Sequence, residues 1–346
     1  MSDGRDAASD AEAPGPLPQP GDVHAAAARL AGHAVETPLL RADALDERIG
    51  GRLLLKAEPL QRTGSFKFRG ACNRLLQLDA GAKANGVVTY SSGNHAQAVA
   101  LAARLVGVPA VIVMPRDAPA VKIAGTRRHG AEVVLYDRNS EAREALGKRI
   151  AEERGATLVK PYDDFNVIAG QGTVGREIVR QCDAIGCRPD AVIVPAGGGG
   201  LMAGTSLAIA DAWPEARLHT AEPQGYDDHA MSFERGQRVG VSGAQGQSFC
   251  DALLAPKPGA LTFPINVERV HSGVAVSDAE VGAAMRAAFM HLKLVVEPGG
   301  AVALAAVLAG KIATAGRTVV AVLSGGNVDL ATFRAVLTQG DGPQAT

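Results

Sequence analysis

The stretch TGSFKFRGA, Thr63 to Ala71, sets a lysine between two phenylalanines and between two glycines. Most lysines keep their ammonium group in water, and a solvated lysine on an amphipathic segment is the ordinary reading of Lys67. The sharper reading is a desolvated amine, which loses its proton readily and attacks carbonyl carbon. One lysine does not decide between them, but four other stretches carry matching chemistry. After GVVTY the chain reads SSGNHAQAVA, so Ser91, Ser92, Gly93 and Asn94 precede a helical run. Small polar residues there cap a helix, and they also leave backbone N–H groups free for an anion such as a carboxylate. After DAVIVPA comes GGGGLMAG, Gly197 to Gly204. Four consecutive glycines are costly in backbone entropy, and at a strand-to-helix turn they make a nest for phosphate.

The last strand pattern, RTVVAVLSGGNVD, ends in Ser324, Gly325, Gly326 and Asn327. A hydroxyl there faces a flat ligand or simply belongs to a turn. EPQGYDD offers Glu222 and Asp228 with the Tyr226 carbonyl between them, an oxygen set suited to a hard cation, although most acidic turns bind nothing. EPGGA puts Glu297 at a helix start, where a carboxylate also answers the helix dipole. Arg143, in SEAREALGK, sits on a helical pattern where most arginines are solvated. The glycine run supports a rival as well. Gly198, Gly200 and Ala203 satisfy G-x-G-x-x-A, with Glu222 about one βα unit later, as an NAD-dependent oxidoreductase requires. That reading leaves Lys67, the Ser92/Asn94 loop and the last glycine loop unexplained. A third reading is a ligand-binding module without catalysis.

These loops need a frame to hold them. From residue 50 onward short β-rich runs (RLLLKAE, GVVTY, AVIVMP, EVVLYD, TLVKPY, DAVIVPA, RLHTAEP, RTVVAVLS) alternate with Ala- and Leu-rich helical stretches. Such alternation predicts an α/β protein with open, twisted, mostly parallel sheets covered by helices on both faces. Ligands of such sheets bind at the carboxyl ends of strands. Residues 231–265 are rich in Gly, Ser and Pro with little periodicity, which predicts a functional loop or lid. The net charge of −1 points to neither nucleic acid nor an anionic membrane as partner, and 4% aromatics argues against a stacking platform for single strands. The longest apolar run, AVALAAVLAG, is too short to span a bilayer. Four cysteines without a CxxC pair fit a reducing cytoplasm and no zinc site. The polar, Pro-rich start is expected to be a disordered leader over 1–21, and it lacks the features of a signal peptide.

In this order and spacing, GSFKFRGA, SSGNHAQAVA, GGGGLMAG, EPGGA and LSGGNVD resemble the fold type II pyridoxal-phosphate enzymes, and among them the serine/threonine dehydratase and serine racemase family. ETPLL at Glu36–Leu40 fits the same family, and the resemblance runs from about residue 22 onward. It implies a tryptophan synthase beta-like fold: a large cofactor-binding domain over 22–85 and 163–340, a small domain over 86–162, and a tail at 341–346. It also implies site roles. Lys67 carries pyridoxal 5'-phosphate covalently, and Phe66 lies beside the cofactor ring. The amides of Gly197, Gly198, Gly199, Gly200 and Leu201 bind its phosphate. Asn94 bonds the ring hydroxyl, Ser324 faces the pyridine nitrogen, and Glu297 belongs to the cofactor surround. Ser91, Ser92, Gly93, Asn94 and His95 form the loop that grips the substrate carboxylate. Arg143 matches a position on the substrate side, where it suits a second carboxylate such as that of 3-hydroxyaspartate. Glu222, Tyr226 and Asp228 match a site for Mg²⁺, Ca²⁺ or Mn²⁺.

The implied activity is deamination of a β-hydroxy amino acid of the L-serine or L-threonine type, with loss of water, to a 2-oxo acid and ammonia. Ser92 opens an alternative, because racemase-like members carry serine there and many threonine dehydratases carry alanine. Serine or 3-hydroxyaspartate racemase/dehydratase activity is that second reading. The segment QGQSFCDALLAPKPGALTFPIN departs from the shorter racemase form and leaves the substrate side chain open. With no regulatory domain after residue 340, the resemblance points to the unregulated type. It further implies a homo-oligomer, dimer or tetramer.

Overall fold

The computed structural model describes residues 15–118, 120–241 and 248–338. The strands among these residues are β1 (Leu39–Leu40), β2 (Arg52–Ala57), β3 (Val87–Tyr90), β4 (Ala110–Pro115), β5 (Glu132–Tyr136), β6 (Thr157–Leu158), β7 (Ala191–Pro195), β8 (Arg217–Pro223), β9 (Ser272–Val276) and β10 (Thr318–Leu323). They form two sheets, of order β1-β2-β10-β7-β8-β9 and β5-β4-β3-β6. Each of these pairings is parallel except β1 with β2. Near-continuous Val, Ile and Ala in β7 and β10 is the mark of strands covered on both faces, and both are buried. One cover is the buried helix Pro298–Leu308; the helices Thr173–Ala184 and Gly200–Ala212 pack on the other side. Among the described residues, no helix is long and apolar enough to cross a membrane.

This strand order decides where the chemistry meets. β2, β10 and β7 are adjacent and parallel. Their carboxyl ends therefore place three loops side by side: the one leading to Lys67, the one starting at Ser324, and the glycine run. The first two are stitched together, since Phe66 N donates to Ser324 O at 3.1 Å and Ser65 bridges Gly325.

Several expectations change. TLVKPY makes a strand of only two residues, because after Val159 bonds Val88 the chain meets Pro161, which has no N–H for a ladder. β1 and β9 escape the sequence pattern, β1 by its length and β9 because Gly273 interrupts its apolar run. The helix Pro20–Leu30 begins inside the expected leader, closed by a reciprocal Gln19–Asp22 cap; residues 1–14 and the tail at 341–346 lie outside the described residues. The irregular stretch 231–265 opens within the helix Asp228–Arg235 and ends within Thr262–Arg269, while 242–247 lie outside the described residues.

The helix carrying Lys67 (Lys67–Leu76) is anchored by a buried charge cluster. Arg69 bonds both Glu58 oxygens at 2.8 Å and Glu177 at 2.6 and 2.8 Å; Lys56 bonds Glu177 at 2.6 Å. Burial favours the neutral acid at Glu58, but the guanidinium outweighs it and holds the carboxyl below its ordinary range. One residue on, Gly70 crosses the helix Phe165–Gln171 so closely that a Cβ would meet the Val167 carbonyl at 2.7 Å. Because removing one partner leaves buried charge uncompensated, Arg69→Leu is expected to lower stability by about 3–5 kcal/mol, read from urea unfolding. An unchanged midpoint would show that the cluster does not anchor this helix.

Candidate active site

Lys67 answers the question its neighbours raise. It is the first residue of its helix and half-buried. Its Nζ donates to the Pro161 carbonyl at 2.7 Å and lies 5.0 Å from the centre of the Phe66 ring. Burial pushes the amine down to about 8, against the opposing pull of Glu297. Near neutral pH a useful fraction is therefore the free-base nucleophile.

The glycine run is held by its carbonyls. Gly197 O accepts from His229 Nε2 at 2.9 Å, Gly198 O from Thr262 Oγ1 at 2.7 Å and from Gly259 N at 3.2 Å, and Gly199 O from Asn266 Nδ2 at 3.3 Å. Among the described residues, nothing accepts from the N–H groups of Gly197 through Leu201. Unpaired amides at the start of a helix form an anion nest. Gly199 has φ +87°, and a Cβ on it would stand 2.5 Å from the His229 ring, so only glycine fits there. The nest suits the phosphate of pyridoxal phosphate. The segment expected to be a lid supplies part of its backing, through Gly259 and Thr262.

Asn94 and Glu297 come together across the two sheets. Asn94 Nδ2 donates to Glu297 Oε1 at 2.6 Å, and Asn94 Oδ1 accepts from Asn327 Nδ2 at 2.8 Å. Burial raises the Glu297 carboxyl to about 7, with the Asn94 bond acting against the shift. Ser324 is buried beside them at the end of β10. In the β3 loop, Ser91 Oγ accepts from Gly93 N at 3.3 Å, while the Ser92 hydroxyl has no partner among the described residues. His95 does not line that loop. It is buried beneath it, with Nε2 3.2 Å from Val159 O, and burial plus the nearby Lys67 charge bring it down to about 3. It stays neutral and supports the loop from below.

Arg143 is exposed at the start of its helix, yet close enough to affect the hydroxyls of Tyr90 and Tyr162. Both are pushed up, mainly by burial, and the Arg143 charge opposes the shift. Sequence reasoning missed Tyr162. Its ring stands directly against Gly198 and its backbone against Gly200, one residue after the carbonyl that holds Lys67. The signal was present, since Tyr162 follows the strand pattern TLVKP as Ser91 follows GVVTY.

Glu222 and Asp228 are also brought together, with the Tyr226 turn between them. Glu222 accepts from the amides of His229 and Ala230 at 2.9 and 3.0 Å, so it is not free to hold a ribose as the dinucleotide reading requires. Both Asp228 oxygens are buried with no partner among the described residues. Burial raises Glu222 well above the carboxylate range and takes Asp228 up to about 8. Two buried acids, one wholly unpaired, fit a divalent cation. His229, also missed, is the third member of this group.

An amine beside an aromatic ring, a nest of free amides and a hydroxyl at the central strand end are the features a pyridoxal-phosphate site needs, and the frame is that of fold type II. Residues 30–325 match the family model described as pyridoxal-phosphate dependent enzyme, and the chain belongs to that family. It is 44% identical over 316 residues to the L-threo-3-hydroxyaspartate ammonia-lyase of a Pseudomonas species, covering 91% of this chain and 97% of that protein. Among solved structures, maize serine racemase superposes with a TM-score of 0.86 at 38% identity, over 92% of this chain and 97% of that one. The serine racemase of Dictyostelium discoideum gives 0.84 at 37% identity, over 90% and 99%. Within the family, the chain falls among the serine/threonine dehydratases and serine racemases.

If burial sets the amine, incubation of cofactor-free protein with pyridoxal phosphate, then borohydride and peptide mapping, should label Lys67. The labelling rate should climb with pH through a midpoint near 8. A midpoint near 10.5, that of a solvated lysine, would contradict the desolvation argument.

Proposed function

We propose that this protein is a pyridoxal-phosphate-dependent ammonia-lyase for small L-β-hydroxy amino acids, with 3-hydroxyaspartate its preferred substrate. What supports the reading above all is the convergence of the Lys67 amine and the unpaired Gly197–Leu201 amides on one loop, Pro161–Tyr162. The two domains expected at 22–85 with 163–340 and at 86–162 are read as the walls of a cleft that closes on the substrate.

Bound pyridoxal phosphate supplies an electron sink for the charge left at the substrate α-carbon. The glycine amides bind its phosphate, and the Asn94–Glu297–Asn327 chain holds the edge of its ring. Ser324 would face the pyridine nitrogen with a neutral hydroxyl, a partner suited to loss of a β-substituent. Loop amides at Ser91–Asn94 orient the substrate carboxylate. Lys67, set free when the substrate amine displaces it, would take the α-proton in its unprotonated form. Lys67 would return that proton to the β-hydroxyl, which leaves as water; the enamine, released when the Lys67 amine takes its place again, tautomerises, and water hydrolyses it to a 2-oxo acid and ammonia. Arg143, near Tyr162 at the cleft edge, holds the distal carboxylate.

Racemisation is the second reading, favoured by the unpartnered Ser92 hydroxyl, a group that would exchange the α-proton on the face opposite Lys67. A divalent cation sits at Glu222, Tyr226 and Asp228. The four free, buried cysteines fit a cytoplasmic location.

A panel of serine, threonine and 3-hydroxyaspartate, assayed for keto-acid release with chiral analysis of the remainder, tests these roles. Lys67→Ala should abolish release from every substrate. Arg143→Leu should cost about 10–100-fold in kcat/KM for 3-hydroxyaspartate and little for serine. Ser92→Ala should remove racemisation and spare elimination. No turnover of any hydroxy amino acid by cofactor-loaded protein would refute the assignment.

A second copy of the chain is the expected partner. Leu60, Phe289, Met290, Val295 and Leu330 are large apolar residues left exposed, and Leu330 is 82% exposed. Light scattering should give a multiple of the 35.5 kDa chain mass. A monomer at micromolar concentration would refute the oligomer.

A further inference from the structure

We propose that His229 is a nitrogen ligand of the divalent cation, binding through Nδ1, and that the same ring ties the ion to the phosphate nest through Nε2. The tautomer is fixed by its neighbour. Gly197 O can only accept, so the 2.9 Å contact with His229 Nε2 requires the proton on Nε2. Nδ1 is then a bare lone pair. The ring is fully buried, and Nδ1 has no partner among the described residues. A buried acceptor left unmatched is destabilising unless something binds it. Glu222, Asp228 and His229 each present a donor atom, and these lie within 4.8 Å of one another. Both Asp228 oxygens share the unmatched state. Asp228 Oδ1, Asp228 Oδ2 and His229 Nδ1 are three buried acceptor atoms without a partner among the described residues, and with the Glu222 carboxylate beside them they call for a cation. Histidines that ligate metals commonly hand their other ring N–H to a backbone carbonyl, as here.

This ligand set has two chemical consequences. A mixed nitrogen and oxygen set shifts preference from Mg²⁺ and Ca²⁺ toward first-row ions that accept imidazole. The ion also becomes part of the scaffold of the glycine run, since the ring that holds it holds Gly197 and packs on Gly199.

This inference rests on the cation placement proposed above, and the test separates the two. The holoenzyme is stripped of divalent ions with a chelator and loaded with MnCl₂ for pulsed EPR, then titrated with CoCl₂ and MgCl₂ by calorimetry. Electron spin echo modulation from an imidazole nitrogen is expected in the wild type and lost in His229→Gln. That variant should lose at least about tenfold in Co²⁺ affinity, with Mg²⁺ affected far less. Bound Mn²⁺ without nitrogen modulation, released by Asp228→Asn, would overturn the His229 assignment and leave the cation placement standing. Failure to bind Mn²⁺, or binding indifferent to Asp228→Asn, would overturn both.

Discussion

The direction of the peptide groups in one glycine loop organises this protein. Gly197, Gly198 and Gly199 turn their carbonyls onto His229, Thr262 and Asn266. A peptide unit that spends its oxygen on one side offers its neighbour's N–H to the other, and the amides from Gly197 to Leu201 are left without an acceptor among the described residues. Buried unpaired donors are costly, so the loop in this form calls for an anion. The rest of the architecture serves that geometry. Residues 259–266 fix the Gly198 and Gly199 carbonyls, His229 fixes that of Gly197, and the helix Gly200–Ala212 adds its dipole.

A second constraint sets the amine against this nest. Lys67 opens a helix anchored two residues later by Arg69, whose guanidinium is locked between Glu58 and Glu177. The anchor lets an amine be desolvated without its side chain wandering back to water. Pro161 then holds the amine, and Tyr162 covers the glycines. The segment Pro161–Tyr162 thus touches both halves of the chemistry.

The acidic pair and His229 lie behind the nest. Their burial without counter-charge is the sort of local conflict that persists only where a ligand resolves it. His95 offers a contrast. Both imidazoles are buried with an unpaired Nδ1, but His95 has Lys67 for a charged neighbour, and His229 has two carboxylates. The first is held neutral as packing, and the second lies among buried acids.

Much of this was legible in the residues themselves. Apolar runs alternating with helical stretches specified parallel sheets, because strands covered on both faces must be apolar throughout. Loop composition marked the glycine run, the serine–asparagine turn and the last glycine pair, because only certain residues tolerate such turns. Lys67 between aromatic residues raised the desolvated amine as one of two readings, and its burial decided for it. What local pattern does not carry is which loops become neighbours. The adjacency of β2, β10 and β7 joins residues more than a hundred positions apart. Tyr162 and His229 acquire their roles only from that closure, since each looks ordinary beside its sequence neighbours. The direction of the glycine carbonyls likewise depends on partners some sixty residues away. Turn chemistry is local and can be read one segment at a time; the pairing of distant hydrogen-bond partners is a property of the folded chain alone.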